Sequence, residues 1–172
     1  MSSPVSPEYV VLMARYGAWM NGKVYDACAR LDDVERRRDL GAFFGSVHGT
    51  LNHLLYGDLA WFGRFRHGAV APMRPDVILH EDFAALREAR ERLDGEISAW
   101  AVTVRPDWLA APFRYVSFVD GAERVRPAWL LVAHMFNHQT HHRGQLTTLL
   151  TQLGEDVGVT DLAAMPEGGT DI

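Results

Sequence analysis

The chain has 172 residues, 48% hydrophobic and 23% charged, an ordinary composition for one compact domain, residues 1–172, with a core of its own. Its formal net charge of -5 lacks the positive footprint that nucleic-acid binding needs, so no nucleic-acid partner is expected. The one basic run, Arg36 to Arg38, sits between Glu35 and Asp39 and reads as a solvated face. The single cysteine, Cys28, excludes an internal disulfide and falls in an apolar-periodic segment, where a buried structural thiol is expected. "MSSPVSPEYV" has neither a basic nor an apolar leader region, and no apolar run approaches the ~20 residues of a spanning helix, so a cytoplasmic protein without a membrane partner is expected.

The first helical segment runs from about Pro7 to Leu31, with Ser6 as cap, Pro7 in the first position and Glu8 in the first turn. Asp32 or Asp33 then caps a short turn. A second helix is expected over about 40–66, where Phe43, Phe44, Val47, Leu51, Leu54, Leu55 and Phe62 are apolar almost all round, the mark of a buried helix. "HGAVAPMRPD" is a Gly/Pro-punctuated loop. A third helix, about 80–103, is the most amphipathic. Between Pro106 and Pro127, β-branched and aromatic residues flank Asp120-Gly121, a hairpin signal. The fourth helix opens with Pro127 in its first position and runs to about Leu153, closed by Gly154. The Gly-rich tail has room for one short helix. This order predicts an all-α fold: a four-helix bundle with a small β-hairpin between its third and fourth helices.

Four of the eight histidines fall within "HMFNHQTHHRGQL", residues 134–146. At about 100° per residue, with His134 at zero, His138 lies near 40°, His142 near 80°, His141 near 340° and Gln145 near 20°. They share one quadrant, flanked by leucines, which implies a polar face turned into the bundle. His138 and His142 have the i, i+4 spacing that lets two ring nitrogens converge on one ion. Gln139 stands where a zincin-type peptidase needs glutamate, so that reading fails. On the second helix His53 lies among apolar residues, and bundle spacing brings it within reach of the pair. Three histidines leave an open coordination position, as in catalytic sites. On the residues alone, a buried hydrogen-bonded histidine network competes with a metal site.

The segments "ARYGAWMNGKVYDAC", "RDLGAFFGSVHGTLNHLLYGDLAWFGRF" and "HMFNHQTHHRGQLTTLLTQLG" resemble the first, second and fourth helices of the DinB/YfiT-like family of metal-binding four-helix bundles. Asn-His followed by Asp-x-x-Trp, and later His-x-x-x-His-Arg-Gly-Gln, carry the resemblance, with Trp19 and Asn21 at its Trp-x-Asn pattern. It implies that His53, His138 and His142 ligate a divalent metal, commonly zinc or nickel, and that the protein is a homodimer. His134, His141 and Gln145 are expected around the site, and Trp19, Tyr56 and Trp61 as walls of a pocket for a small-molecule substrate. His48 is expected to be structural, and His67 and His80 solvated.

Relatives include S-transferases that use low-molecular-weight thiols, as well as isomerases and hydrolases. The expected function is a metal-dependent thiol S-transferase acting on small electrophiles. The alternatives are a hydrolase using a metal-activated water and a non-catalytic metal-binding module.

Overall fold

In a computed structural model that describes residues 3–68 and 70–167, the long helices are α1 (Pro7–Ala29), α3 (Val47–His67), α4 (Phe83–Ala101) and α6 (Ala128–Gln152). Short helices α2 (Asp33–Arg37) and α5 (Pro106–Ala110) and a 3-10 turn (Leu162–Ala164) complete the helical part. Strands β1 (Pro112–Val116) and β2 (Glu123–Pro127) pair antiparallel, Pro112 opposite Pro127. The expected all-α bundle with one hairpin is therefore the observed architecture. Helix α1 packs against α4 and α6, and α3 against α6 and α4, so each long helix has two long neighbours. Their inner faces supply Val10, Met20, Val24, Leu51, Leu54, Leu86, Leu93, Met135, Phe136, Leu146 and Leu150, all nearly inaccessible to water. Burying side chains of this size contributes about 1.5–3 kcal/mol each. Cys28 belongs to this core, as its setting in the sequence suggests.

The helix starts follow local chemistry. The Ser6 hydroxyl accepts from Tyr9 N–H with Pro7 in the first turn, Ser46 accepts from Gly49 N–H, and Asp82 from Ala85 N–H. Asp32 and Glu35 form a reciprocal capping box on α2.

Three boundaries depart from the sequence reading. The second long helix starts at Val47, not near residue 40. Residues 38–46 instead fold into a tight turn in which Leu40 N–H bonds Gly45 O and Gly45 N–H bonds Ala42 O, with Gly45 at φ 73. The hairpin connection spans residues 117–122 rather than the two residues Asp120-Gly121, because Gly121 N–H closes back on Ser117 O. Pro127 ends β2 and caps α6 instead of occupying its first position, so the strand runs straight into the helix. Gly154, at φ 81, follows the end of α6 as expected. No helix among the described residues is long and apolar enough to cross a membrane.

Candidate metal centre

Where α3 faces α6, the Nε2 atoms of three histidines meet. His53 Nε2 lies 3.1 Å from His142 Nε2 and 3.4 Å from His138 Nε2, and the last two are 3.0 Å apart. His53 and His142 are buried and His138 is half-buried. Burial, reinforced by the neighbouring rings, pushes His138 down to about 3, and burial pushes His142 down to about 4. Burial also lowers His53. All three rings are neutral at pH 7, the form that ligates metals.

The partners of the other ring nitrogens fix which atoms carry protons. His53 Nδ1 is 2.7 Å from Pro75 O, and a carbonyl only accepts, so the proton is on Nδ1 and Nε2 is a bare lone pair. His142 Nδ1 is 2.7 Å from Gln145 Oε1, with the same consequence. Two lone pairs therefore face each other across 3.1 Å, a contact that no hydrogen bond between neutral rings can hold. One proton on His138 Nε2 could serve one neighbour and would leave the His53–His142 pair unrelieved. A cation touching all three nitrogens relieves every contact at once. The separations also suit one: a tetrahedron with Zn–N bonds of about 2.0–2.1 Å has edges of about 3.3–3.4 Å. The donor set fits a divalent metal of the imidazole-preferring class.

The surroundings hold these rings in place. Phe44, from the turn before α3, stacks on the His53 imidazole at 3.7 Å and 17° and sits edge-on to His142 at 5.6 Å. A side chain at Gly49 would collide with the Phe44 carbonyl, so that glycine lets the turn fold back far enough for the stack. A Cβ at Gly57, one helical turn beyond His53, would lie 2.7 Å from His138 Cε1. The missing side chain there is the space His138 occupies.

The α3–α4 loop supplies the remaining order. Asn52 Oδ1 accepts from Leu79 and His80 N–H, Asn52 Nδ2 donates to His80 O, and Tyr56 OH donates to Met73 O. These bonds pin the loop whose Pro75 carbonyl orients His53.

The structure brings His53, His138, His142 and Gln145 together. It places Tyr56, buried, with its ring 6.3 Å from that of His53, and Trp61 5.0 Å from His134. His134 and His141 share the predicted quadrant but lie exposed at its rim, 6.0 Å from His138 and 4.8 Å from His142 by ring centroid. Trp19 is not brought to the cluster: it packs on Tyr16 and under Lys23, whose ammonium binds the tail at Val159 O. His48 is buried and bonded to His80 O, a structural contact. Gly49 and Gly57 escaped the sequence reading, and Phe44 and Asn52 entered it only as a helix residue and as part of the Asn-His motif, without the roles they take here.

Residues 1–170 match the DinB family. Among curated proteins, Protein DinB of Bacillus subtilis (strain 168) is 22% identical over 169 residues, covering 90% of this chain and 91% of that protein. No solved structure matches the chain.

Proposed function

The chain belongs to the DinB family, and from that premise we propose that it is a metal-dependent thiol S-transferase in which His53, His138 and His142 hold one zinc or nickel ion. The observation that supports this most is the 3.1 Å approach of two unprotonated Nε2 atoms, His53 and His142, which a bound cation explains. A divalent ion held by three neutral rings would supply the positive charge that keeps a small thiol as its thiolate near neutral pH. The chain's own residues do the rest. Pro75 O and Gln145 Oε1 keep the Nδ1 protons in place and the Nε2 lone pairs aimed inward. Phe44 covers one face of His53 and sheds water from that side. Tyr56 and Trp61 wall the approach along α3.

A thiol suits this environment better than a water nucleophile does. Among the described residues no carboxylate joins the three rings, so a base for water would have to come from His134 or His141 at the rim. A thiol, with an ordinary pKa of about 8.5, has far less need of one.

Elemental analysis of untagged protein beside a His53→Ala variant is the first test. Near-stoichiometric metal in the parent and near none in the variant is expected, followed by metal-dependent conjugation of monochlorobimane with added low-molecular-weight thiols. Ester turnover without added thiol would replace this reading with hydrolysis. Metal without either activity would leave a metal-binding module. No metal after supplementation would remove the premise of all three.

A further inference from the structure

Eleven residues beyond His53 on α3, on the same side of the helix, Arg64 is 5% exposed. Its guanidinium carbon lies 3.8 Å from the Phe118 ring centroid, 4.7 Å from that of Trp61 and 5.8 Å from that of Tyr115. One of its five N–H groups donates to Val116 O at 3.1 Å. Among the described residues no carboxylate pairs with it. The other deeply buried arginines differ. Arg90 is held by Asp58 and Asp94, and Arg143 lies against the amide oxygens of Asn21 and Gln139.

Arg64 also borders a cavity of about 430 Å³, walled by Val70, Pro72, Val116 and Phe118. That volume is in the range of small-ligand sites. Among the described residues its lining is otherwise apolar or glycine except for Ser117, and Arg64 is its one cation. Gly63 contributes to its shape, because a Cβ there would lie 2.6 Å from Val70 Cγ2 and push the loop outward.

We propose that this cavity is a binding site for a small organic monocarboxylate with an apolar body, anchored by Arg64. A planar guanidinium presents paired N–H groups that match a carboxylate's two oxygens. A single positive charge balances a monoanion and would leave a phosphate dianion half-compensated. The aromatic rings hold the guanidinium in one orientation before the ligand arrives, which lowers the ordering cost of binding. Burial without a counter-ion works against the arginine's own charge. A carboxylate supplies what the protein withholds.

The site stands independently of the metal centre, and its test is run on chelator-treated protein so that metal cannot hold the acid. Titration calorimetry with 3-phenylpropionate and with its neutral amide is the measurement. The acid is expected to bind at least ten-fold more tightly than the amide. Arg64→Met is expected to lose that preference, and Arg64→Lys, which keeps the charge without the fork, to retain only part of it. Equal binding of acid and amide to the unaltered protein would overturn the proposal, and so would undiminished acid binding in a folded Arg64 variant. The acid–amide comparison on the parent chain decides the matter if a variant fails to fold.

Discussion

Two polar clusters are buried in the bundle, one between α3 and α6 and one reaching into all four long helices, and they are built on opposite rules. On one side of α3 and α6, His53, His138 and His142 bring together three neutral ring nitrogens, two of them bare acceptors. On the other, Gln139 and Arg143, each one residue past a histidine, and Asp58, five past His53, join Arg90, Asp94 and Asn21. Arg90 Nη1 donates to Asp58 Oδ2 at 2.6 Å, its Nη2 lies 2.7 Å from Asp94 Oδ1, and Asn21 Nδ2 donates to both Asp94 oxygens at 3.0 Å. Two arginines face two carboxylates, so the second cluster is charge-matched from within the chain, although not every donor is used: Arg143 Nε, for example, has no partner. The first cluster has no such internal partner among the described residues, and a cation from outside could complete it. Burial is common to both, and complementarity separates scaffold from site.

Breaking the charge-matched cluster gives the largest expected effect. Arg90→Leu takes from Asp58, fully buried, and from Asp94 the guanidinium that pairs with them directly, and a buried pair stripped of one partner loses about 3–5 kcal/mol. Urea unfolding should show that loss, while metal per folded molecule, read by elemental analysis after gel filtration, stays as in the parent. A variant that lost metal in proportion would show the two clusters to be one unit.

A smaller effect, aimed at the acceptor cluster, comes from Gly57→Ala. Alanine in a helix interior ordinarily gains about 0.5–1 kcal/mol over glycine, and Gly95→Ala on α4, where a Cβ meets nothing within 4 Å, is expected to show that gain. At Gly57 the methyl would stand 2.7 Å from His138 Cε1, so the sign reverses: about 1–3 kcal/mol lost to overpacking, with metal occupancy falling well below that of Gly95→Ala. Thermal unfolding and metal analysis of the pair read both numbers.

The contrast also explains what the sequence could reveal. The i, i+4 histidines and a mid-helix His53 carry a side-chain signature, and the helical period places them. The ion network had no comparable signature of its own: Asp58, Arg143 and Asn21 stood in the motifs behind the family resemblance, but they come from three different helices and nothing in their spacing tied them to one another or to Arg90 on a fourth. Angular bookkeeping put His134 and His141 in the same quadrant as the ligands, but it could not separate interior from rim, which depends on how α3 covers α6. The residues that orient the site act through backbone or through empty space: Pro75 O, the Asn52-bound loop, and the hollows at Gly49 and Gly57. Phe44 was misplaced on a helix because its apolar run outweighed the punctuation of Gly41, Gly45 and Ser46 around it.

The smallest expected effect tests whether the bundle needs the metal to stay closed. Cys28 is the chain's one thiol, wholly inaccessible in the core, and burial pushes it up to about 12. A thiol alkylates as thiolate, so at pH 8 Cys28 reacts only when the bundle opens. If the core and the ion network hold the helices while the histidines serve a cation, stripping the metal with a chelator should leave labelling by iodoacetamide negligible, as in loaded protein. Bound metal stabilises only by its own mass-action share, which adds to a fold already closed. Rapid labelling after chelation would mean that the ion staples α3 to α6, a structural role like that of metals whose removal unfolds small domains. The acceptor cluster would then belong to the scaffold as well, and the division between the two sides of the bundle would fail.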